Sequence, residues 1–243
     1  MKVSVLIPAR NEAENIIQTI DGIRNEFEKQ NIAYEIIVVN DGSNDETENI
    51  VKQLAEIDNR VRLVNNPPLH GIGNAIKKGL DEYTGDYVII TMADSSDDPK
   101  DMVGYVHAVR EGYDCCFGTR WGQGAMVKGY PKFKLILNRV ANWVIRIFFH
   151  LAYNDVTNAF KCYSRETIEG IKPILSHHFN ITVELPLKAI VRGYSYTVIP
   201  TNWYARTSGK TNLKIKEMGS RYLFILLYVF LEKFLCRKDY RKK

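Results

Sequence analysis

The chain is short of cysteine, has no long apolar run and does not repeat, and each absence removes a class of protein. Its four cysteines, Cys115, Cys116, Cys162 and Cys236, show neither CxxC nor Cys/His ligand spacing, and two are adjacent. That excludes a disulfide scaffold or zinc module and reads as buried or incidental thiols of a reducing compartment. No uninterrupted apolar stretch reaches the roughly 20 residues of a membrane-spanning helix. Met1 to Pro8 has one lysine and a short apolar run without the length or cleavage site of a signal peptide; a cytoplasmic protein is expected. The five histidines are scattered, so no Ser/His/Asp catalytic set is expected. No internal repeat or low-complexity tract interrupts the 243 residues, a length suited to one α/β domain with a C-terminal extension.

The chain does have charge asymmetry. The net charge is +5, and basic residues crowd into the second half: Lys128, Lys132, Lys134, Arg139 and Arg146, then Lys210, Lys214, Lys216 and the tail from Arg237. This points to an anionic partner. The glycine and aromatic spacing of RNA-binding sheets is missing, and so is a recognition helix, so no nucleic acid is expected and an anionic membrane surface explains more.

Apolar runs alternate with helical patterns. Val3 to Pro8, Tyr34 to Asn40, Val61 to Val64, the run from Tyr87 into Asp94 and Tyr113 to Arg120 read as strands. The segments between them read as helices, which predicts a mostly parallel sheet with helices on both faces. Asn11 with Glu14, and Ser43 with Glu46, have capping-box spacing and predict helix starts at those points. The run from Tyr87 ends in Asp94-Ser95-Ser96-Asp97-Asp98-Pro99. Asp98 fits an N-cap before Pro99, which leaves Asp94 without a structural duty. Such a strand delivers carboxylates to the sheet edge where ligands of α/β folds bind, and carboxylates there can hold a divalent cation and through it a diphosphate. Gly71 and Gly73 permit close backbone approach but are a weak phosphate signal.

Beyond Arg120 the alternation stops. Trp121 to Pro131 reads as a binding loop or lid, and Lys132 to Ala152 as a helix whose apolar side suits either a core or a membrane face. Trp143, Phe148 and Phe149 among arginines favour the membrane face. Ile181 to Arg192 reads as a helix stopped by Gly193, and Tyr196 to Pro200 as a strand. Tyr222 to Leu235 is apolar but short, at about 1.5 Å per residue, for a bilayer core of about 30 Å, so it is expected to lie on a membrane or against a partner.

Several motifs in order resemble one family. Pro8 to Glu12 at the first βα turn, Val38-Val39-Asn40-Asp41-Gly42-Ser43, Ala93-Asp94 before Pro99, and Gly118-Thr119-Arg120 are similar to the inverting family 2 glycosyltransferases of the GT-A fold. Asp155 to Phe160 and the loop from Arg206 to Lys210 resemble the branch of dolichyl-phosphate mannosyltransferases and polyprenyl-phosphate glucosyltransferases. The resemblance covers about residues 2 to 213 and implies a GT-A domain over 1–213, followed by a membrane-associating helix and basic tail over 214–243. It implies that Pro8, Ala9, Arg10 and Glu12 line the nucleotide pocket and that Asp41 bonds the base. Asp94 stands at the last acid of an Asp-X-Asp motif and, with Ser96 where the family has Gln, would bind Mg²⁺ or Mn²⁺ and the donor diphosphate. Met92 replaces the first acid. Arg120 would face the diphosphate or the acceptor phosphate. Lys134 and Asn138 stand where relatives carry Arg and Ser for the acceptor phosphate, and Arg206 and Lys210 belong to a loop that would bind that same acceptor phosphate.

The activity so implied moves a hexose from a nucleotide sugar of the GDP-mannose or UDP-glucose type to a polyprenyl or dolichyl phosphate on the cytoplasmic membrane face. A lipid phosphate is already an anion and needs no general base. Two alternatives stay open: transfer to a glycan or glycolipid hydroxyl, which would need a base such as Asp155 or Glu184, and an inactive nucleotide-sugar-binding module, suggested by Met92. A small membrane-anchoring subunit or a homo-oligomer is a further expected partner.

Overall fold

A computed structural model describes residues 1–206, 215–236 and 239–242. Strand and helix alternate through β1 (Lys2–Ala9), α1 (Ile16–Lys29), β2 (Ala33–Asn40), α2 (Thr47–Ile57), β3 (Val61–Asn65) and α3 (Ile72–Glu82). β4 (Tyr87–Ile90), α4 (Pro99–Arg110) and β5 (Cys115–Thr119) continue the pattern. There follow β6 (Val127–Lys128), α5 (Lys132–Phe149), β7 (Lys161–Ser164), α6 (Arg165–Gly170) and α7 (Ile181–Val191). The chain ends in β8 (Tyr196–Pro200), β9 (Trp203–Tyr204) and α8 (Ile215–Leu235).

Seven strands form one sheet in the order β3-β2-β1-β4-β7-β5-β8, and β6 pairs with β9 separately. Every neighbouring pair in the large sheet is parallel except those made by β7, which is antiparallel to β4 and β5. Side chains alternate across the pleat, so each strand feeds two cores. Val3, Val5 and Ile7 of β1 pack with Ile16, Ile20 and Ile23 of α1 and Met102 and Val106 of α4. Leu6, on the other face, joins Ala75 and Ile76 of α3, Val183 and Leu187 of α7, and Ile225 and Val229 of α8.

The reversal at β7 positions the site. Ile90 pairs with Lys161, so β7 starts at the edge where β4 ends. The turn before β7 therefore reaches the carboxyl edge of the sheet, beside the ends of β4 and β5.

Two helix starts differ from the sequence expectation. Asn11 has a left-handed φ of 55°, and α1 begins only at Ile16. The side chains that read as caps instead cross-link the first two βα turns: the Asn11 amide donates to Ser43 Oγ at 3.0 Å, and the Asn44 amide to Asn11 Oδ1 at 2.8 Å. α2 begins at Thr47, whose amide donates to Asp45 Oδ1 at 3.0 Å, not at Ser43. The Asp98 cap holds as read, with Lys100 N donating to Asp98 Oδ1 and Pro99 at the first helical position.

α5 buries Asn142, Ile145 and Phe149 and exposes Phe133, Ile136, Val140, Trp143, Ile147 and Phe148. α8 buries Ile225 and Val229 in the core but exposes Leu223, Phe224, Leu227, Leu231 and Phe234. The two helices meet where Phe230 lies 6.0 Å from Phe148 and 6.2 Å from Phe149, ring centre to ring centre. The exposed apolar sides thus belong to two helices in contact. Among the described residues, no helix is long and apolar enough to cross a membrane. The expected boundary at 213/214 and Lys210 lie outside the described residues.

Candidate active site

The ends of β1, β2, β4 and β5 meet at one sheet edge. At the end of β1, Pro8 and Ala9 are buried and Arg10 is exposed. The Asp41 amide donates to Ala9 O at 2.8 Å, which locks the first two βα turns together. The Asp41 carboxylate accepts from the Gly71 amide at 2.9 Å and from Asn66 Nδ2 at 2.7 Å, with His70 Nδ1 at 3.3 Å. Gly42, at φ 70°, leaves the room that the His70 ring fills. The carboxylate expected to meet a base therefore also shapes the segment around it. Asn66 and His70 had no signal in the sequence, because their partner lies 25 and 29 positions away. Gly73 does allow a close approach, by the backbone of His177, whose carbonyl accepts from its amide at 3.1 Å.

At the end of β4 the chain turns tightly, with Ser95 at φ 55°. Asp94 Oδ1 accepts from the Ser96 amide at 3.2 Å, and Asp94 Oδ2 from Arg206 Nη2 at 2.5 Å. Arg206 Nη1 lies 3.7 Å from the Glu12 carboxylate. Arg206 is held there because its strand is strapped to the acid turn. Trp203 bridges to Asp97, and the Tyr204 amide donates to Ser96 O at 2.9 Å. Asp97 is buried, accepts from Thr91 Oγ1 at 3.0 Å, and has its pKa pushed up to about 7 by burial first and by the negative charge of Asp94 second. Burial also raises the pKa of Glu12 from its ordinary value.

The expected metal ligands do not make a cation cage. Both oxygens of Asp94 already accept hydrogen bonds, Met92 offers a thioether where hard cations take oxygen, and Ser96 is buried. Among the described residues, no three His, Cys, Asp or Glu side chains come together as a metal group. The donor set does not fit a divalent cation held by the protein alone.

Beside this turn, Arg120 and Asp155 form a buried bidentate pair. Burial opposes the Arg120 charge, but Asp155 outweighs it and raises the pKa above its ordinary value. The Arg120 guanidinium lies 5.6 Å from the ring centres of both Trp121 and Tyr130, and Tyr130 lies 4.8 Å from Trp203. The loop before α5 thus forms an aromatic wall over Arg120, a geometry that the isolated residues in the sequence did not reveal. On α5, Asn138 Nδ2 donates to Thr157 Oγ1 at 2.8 Å, which joins that helix to the Asp155 turn, and Lys134 is half-buried one helical turn earlier. Lys161 lies fully within the protein, donating to Val156 O at 3.0 Å and Thr182 O at 3.4 Å, and burial pushes its pKa down to about 7.

A sequence model described as Glycosyl transferase family 2 matches residues 4–169. The chain belongs to that family. It is 30% identical over 229 residues to glycosyltransferase AglD of Haloferax volcanii, covering 92% of this chain and 36% of the relative. It is also 30% identical over 223 residues to the dolichol-phosphate mannosyltransferase of Pyrococcus furiosus, covering 90% of this chain and 61% of the relative. The chain thus spans about a third of the first relative and under two thirds of the second. The polyprenol monophosphomannose synthase of Mycolicibacterium smegmatis is 29% identical over 233 residues, which cover 89% of this chain and 86% of the relative. The fold matches glucosyl-3-phosphoglycerate synthase of Mycobacterium tuberculosis, solved with Mn²⁺, UDP and phosphoglyceric acid, with a TM-score of 0.67 at 19% identity over 96% of this chain and 78% of that one. The family 2 chain therefore has the GT-A fold that its motifs led us to expect, and its relatives support the polyprenyl-phosphate branch.

Within the family 2 chain, the expected site residues divide into two groups. Pro8, Ala9, Arg10, Glu12, Asp41, Asp94 and Ser96 lie on the β1, β2 and β4 ends, and Arg206 joins them. Arg120, Lys134 and Asn138 lie around the Asp155 turn. Asp97 lies within electrostatic reach of both Asp94 and Arg120 and links the groups.

Proposed function

We propose that the chain transfers one hexose from a nucleotide sugar to a polyprenyl or dolichyl phosphate, with inversion, while lying on the cytoplasmic face of a membrane. The observation that carries this reading is the state of the carboxylates that a hydroxyl acceptor would need. Both oxygens of Asp155 accept from Arg120, and Glu184, fully buried, accepts the Leu175 and Ser176 amides. Neither is available as a base. A phosphate acceptor needs none.

In this reading Pro8, Ala9, Arg10, Glu12 and Asp41 hold the nucleotide, of the GDP-mannose or UDP-glucose type, and Asp94 and Ser96 face its diphosphate. Arg120, Lys134 and Asn138 hold the acceptor phosphate, with Lys210 of the following loop. One phosphate oxygen attacks the anomeric carbon, the bond to the donor diphosphate breaks, and the nucleoside diphosphate leaves with its electron pair. A single displacement inverts the centre. The protein supplies alignment and positive charge for two anions in line, which is where most of such a barrier is removed. The structural neighbours solved with Mn²⁺ motivate a metal, but the donor set among the described residues does not make such a site, and the step is derived without one.

The apolar sides of α5 and α8 fit an acyl boundary, with Lys134, Arg139 and Arg146 interspersed on α5 to meet anionic headgroups. A small membrane-anchoring subunit or a second copy of the chain is the competing occupant of that surface.

The test is incubation of the purified chain with polyprenyl phosphate in vesicles and a panel of labelled nucleotide sugars. Acid-labile label in the organic phase from one donor is the expected result. Donor binding without lipid label would favour the inactive module, which has Met92 as its motive, and restoring Met92→Asp would then yield the first activity.

A further inference from the structure

Arg206 pairs with Asp94, the acid that stands at the end of the Asp-X-Asp motif. Its guanidinium lies on Asp94 Oδ2 and faces Glu12 at 3.7 Å, while Met92 supplies no second carboxylate. The three side chains are 25%, 7% and 13% exposed, so the group is largely withdrawn from bulk water. The strap from Trp203 and Tyr204 to Asp97 and Ser96 fixes the backbone leading to Arg206 on the same turn that carries Asp94. A guanidinium is permanently charged, and its planar fork of five donors can bond a carboxylate on one edge and a phosphate on another.

We propose that Arg206 is the cation of the donor subsite in this chain, bridging Asp94 and the diphosphate of the nucleotide, so that nucleoside diphosphate binding does not depend on a divalent metal. The inference rests on the nucleotide-sugar reading above and moves Arg206 from the acceptor phosphate to the donor. Without the guanidinium, the Asp94 and Glu12 carboxylates would face the diphosphate as like charges at short range. With it, Asp94 orients the guanidinium, whose permanent positive charge then faces the diphosphate.

The test is calorimetric titration of the full chain with UDP and with GDP, in excess chelator and in millimolar Mn²⁺, with no sugar or acceptor present. The expected result is binding in chelator within about threefold of that in Mn²⁺. Arg206→Ala weakens the chelator value by about tenfold or more, the scale of one charge-assisted contact, and leaves residual binding that Mn²⁺ now tightens. Arg206→Lys, which keeps the charge but not the fork, falls between. Met92→Asp in the Arg206→Ala background increases the response to Mn²⁺. Wild-type binding that falls more than tenfold in chelator overturns the proposal, even if the variants fail to fold, and leaves the nucleotide-sugar reading standing. Failure of UDP, GDP and every nucleotide sugar to bind in either condition overturns both.

Discussion

Arg120 and Asp155 meet edge to edge, with Nε 2.8 Å from Oδ2 and Nη2 2.7 Å from Oδ1, and the Arg120 amide donates to the same carboxylate at 2.9 Å. Three bonds into one buried acid fix the guanidinium plane at the end of β5, under the rings of Trp121 and Tyr130. The residues are 35 positions apart and meet because β7 enters the sheet antiparallel beside β5.

Asp155→Asn leaves the Arg120 charge without its counter-ion inside the protein. A loss of about 3–5 kcal/mol in denaturant unfolding is expected, because breaking one side of a buried pair strands the other charge. Where the variant still folds, transfer falls as well. Asp155→Asn with Arg120→Met recovers much of the stability and none of the transfer. If Asp155 were instead a general base, the single variant would lose transfer and keep its stability.

Glu184 and Lys188 are a second internal pair, at 2.6 Å and with both side chains fully buried. Glu184→Gln is expected to lower stability by roughly 2–4 kcal/mol. At a temperature where the variant is folded, its pH–rate profile should match that of the parent chain. A profile that loses one ionisation would return Glu184 to the candidates for a base.

Glu35 governs part of the acid limit of stability. Burial alone would raise its pKa, but bonds from Ser4 Oγ at 2.6 Å, the Thr84 amide at 2.7 Å, Thr84 Oγ1 at 2.8 Å and Arg62 Nη1 at 3.2 Å outweigh it and bring the value down to about 2. A carboxylate depressed in the folded state stabilises fully above its unfolded pKa, and this contribution is lost as pH falls from about 4.5 to about 2. Glu35→Gln should remove on the order of 3 kcal/mol at pH 7. It should also flatten the stability profile between those two pH values, as measured by denaturant unfolding across the range.

The membrane surface is tested by substitution, not by truncation, because removing α8 would take Ile225 and Val229 out of the core and break the Arg192–Glu232 pair at 2.7 Å. Trp143→Ser with Phe224→Ser changes only exposed positions. Co-sedimentation with anionic vesicles should fall by about tenfold or more, given that each large side chain contributes ~1.5–3 kcal/mol when it leaves water. Unchanged sedimentation would assign those faces to a partner subunit or a second copy.

Local chemistry made much of this legible in the sequence. The alternation of strands and helices, the Asp98–Pro99 start of α4 and the strand Tyr196–Pro200 depend on neighbours in the chain, and all three appear as read. Asn11 and Ser43 do not act as the caps their spacing predicts, for a physical reason: a short polar side chain serves a local amide or a distant one equally well, and the parallel pairing of β1 with β2 brings the distant one closer. The Asp94–Arg206 contact spans 112 positions, and the aromatic wall over Arg120 joins segments from both ends of the second half. Neither contact leaves a periodicity or a spacing in the sequence.

In the proposed reaction the acceptor is a phosphate. Initial rates of transfer from the preferred labelled nucleotide sugar, with polyprenyl phosphate and with the matching polyprenol presented in the same vesicles, test it most directly. Label is expected on the phosphate lipid as a product cleaved by mild acid, and none on the alcohol. Equal labelling of the alcohol, or transfer only to a glycan hydroxyl, would contradict it.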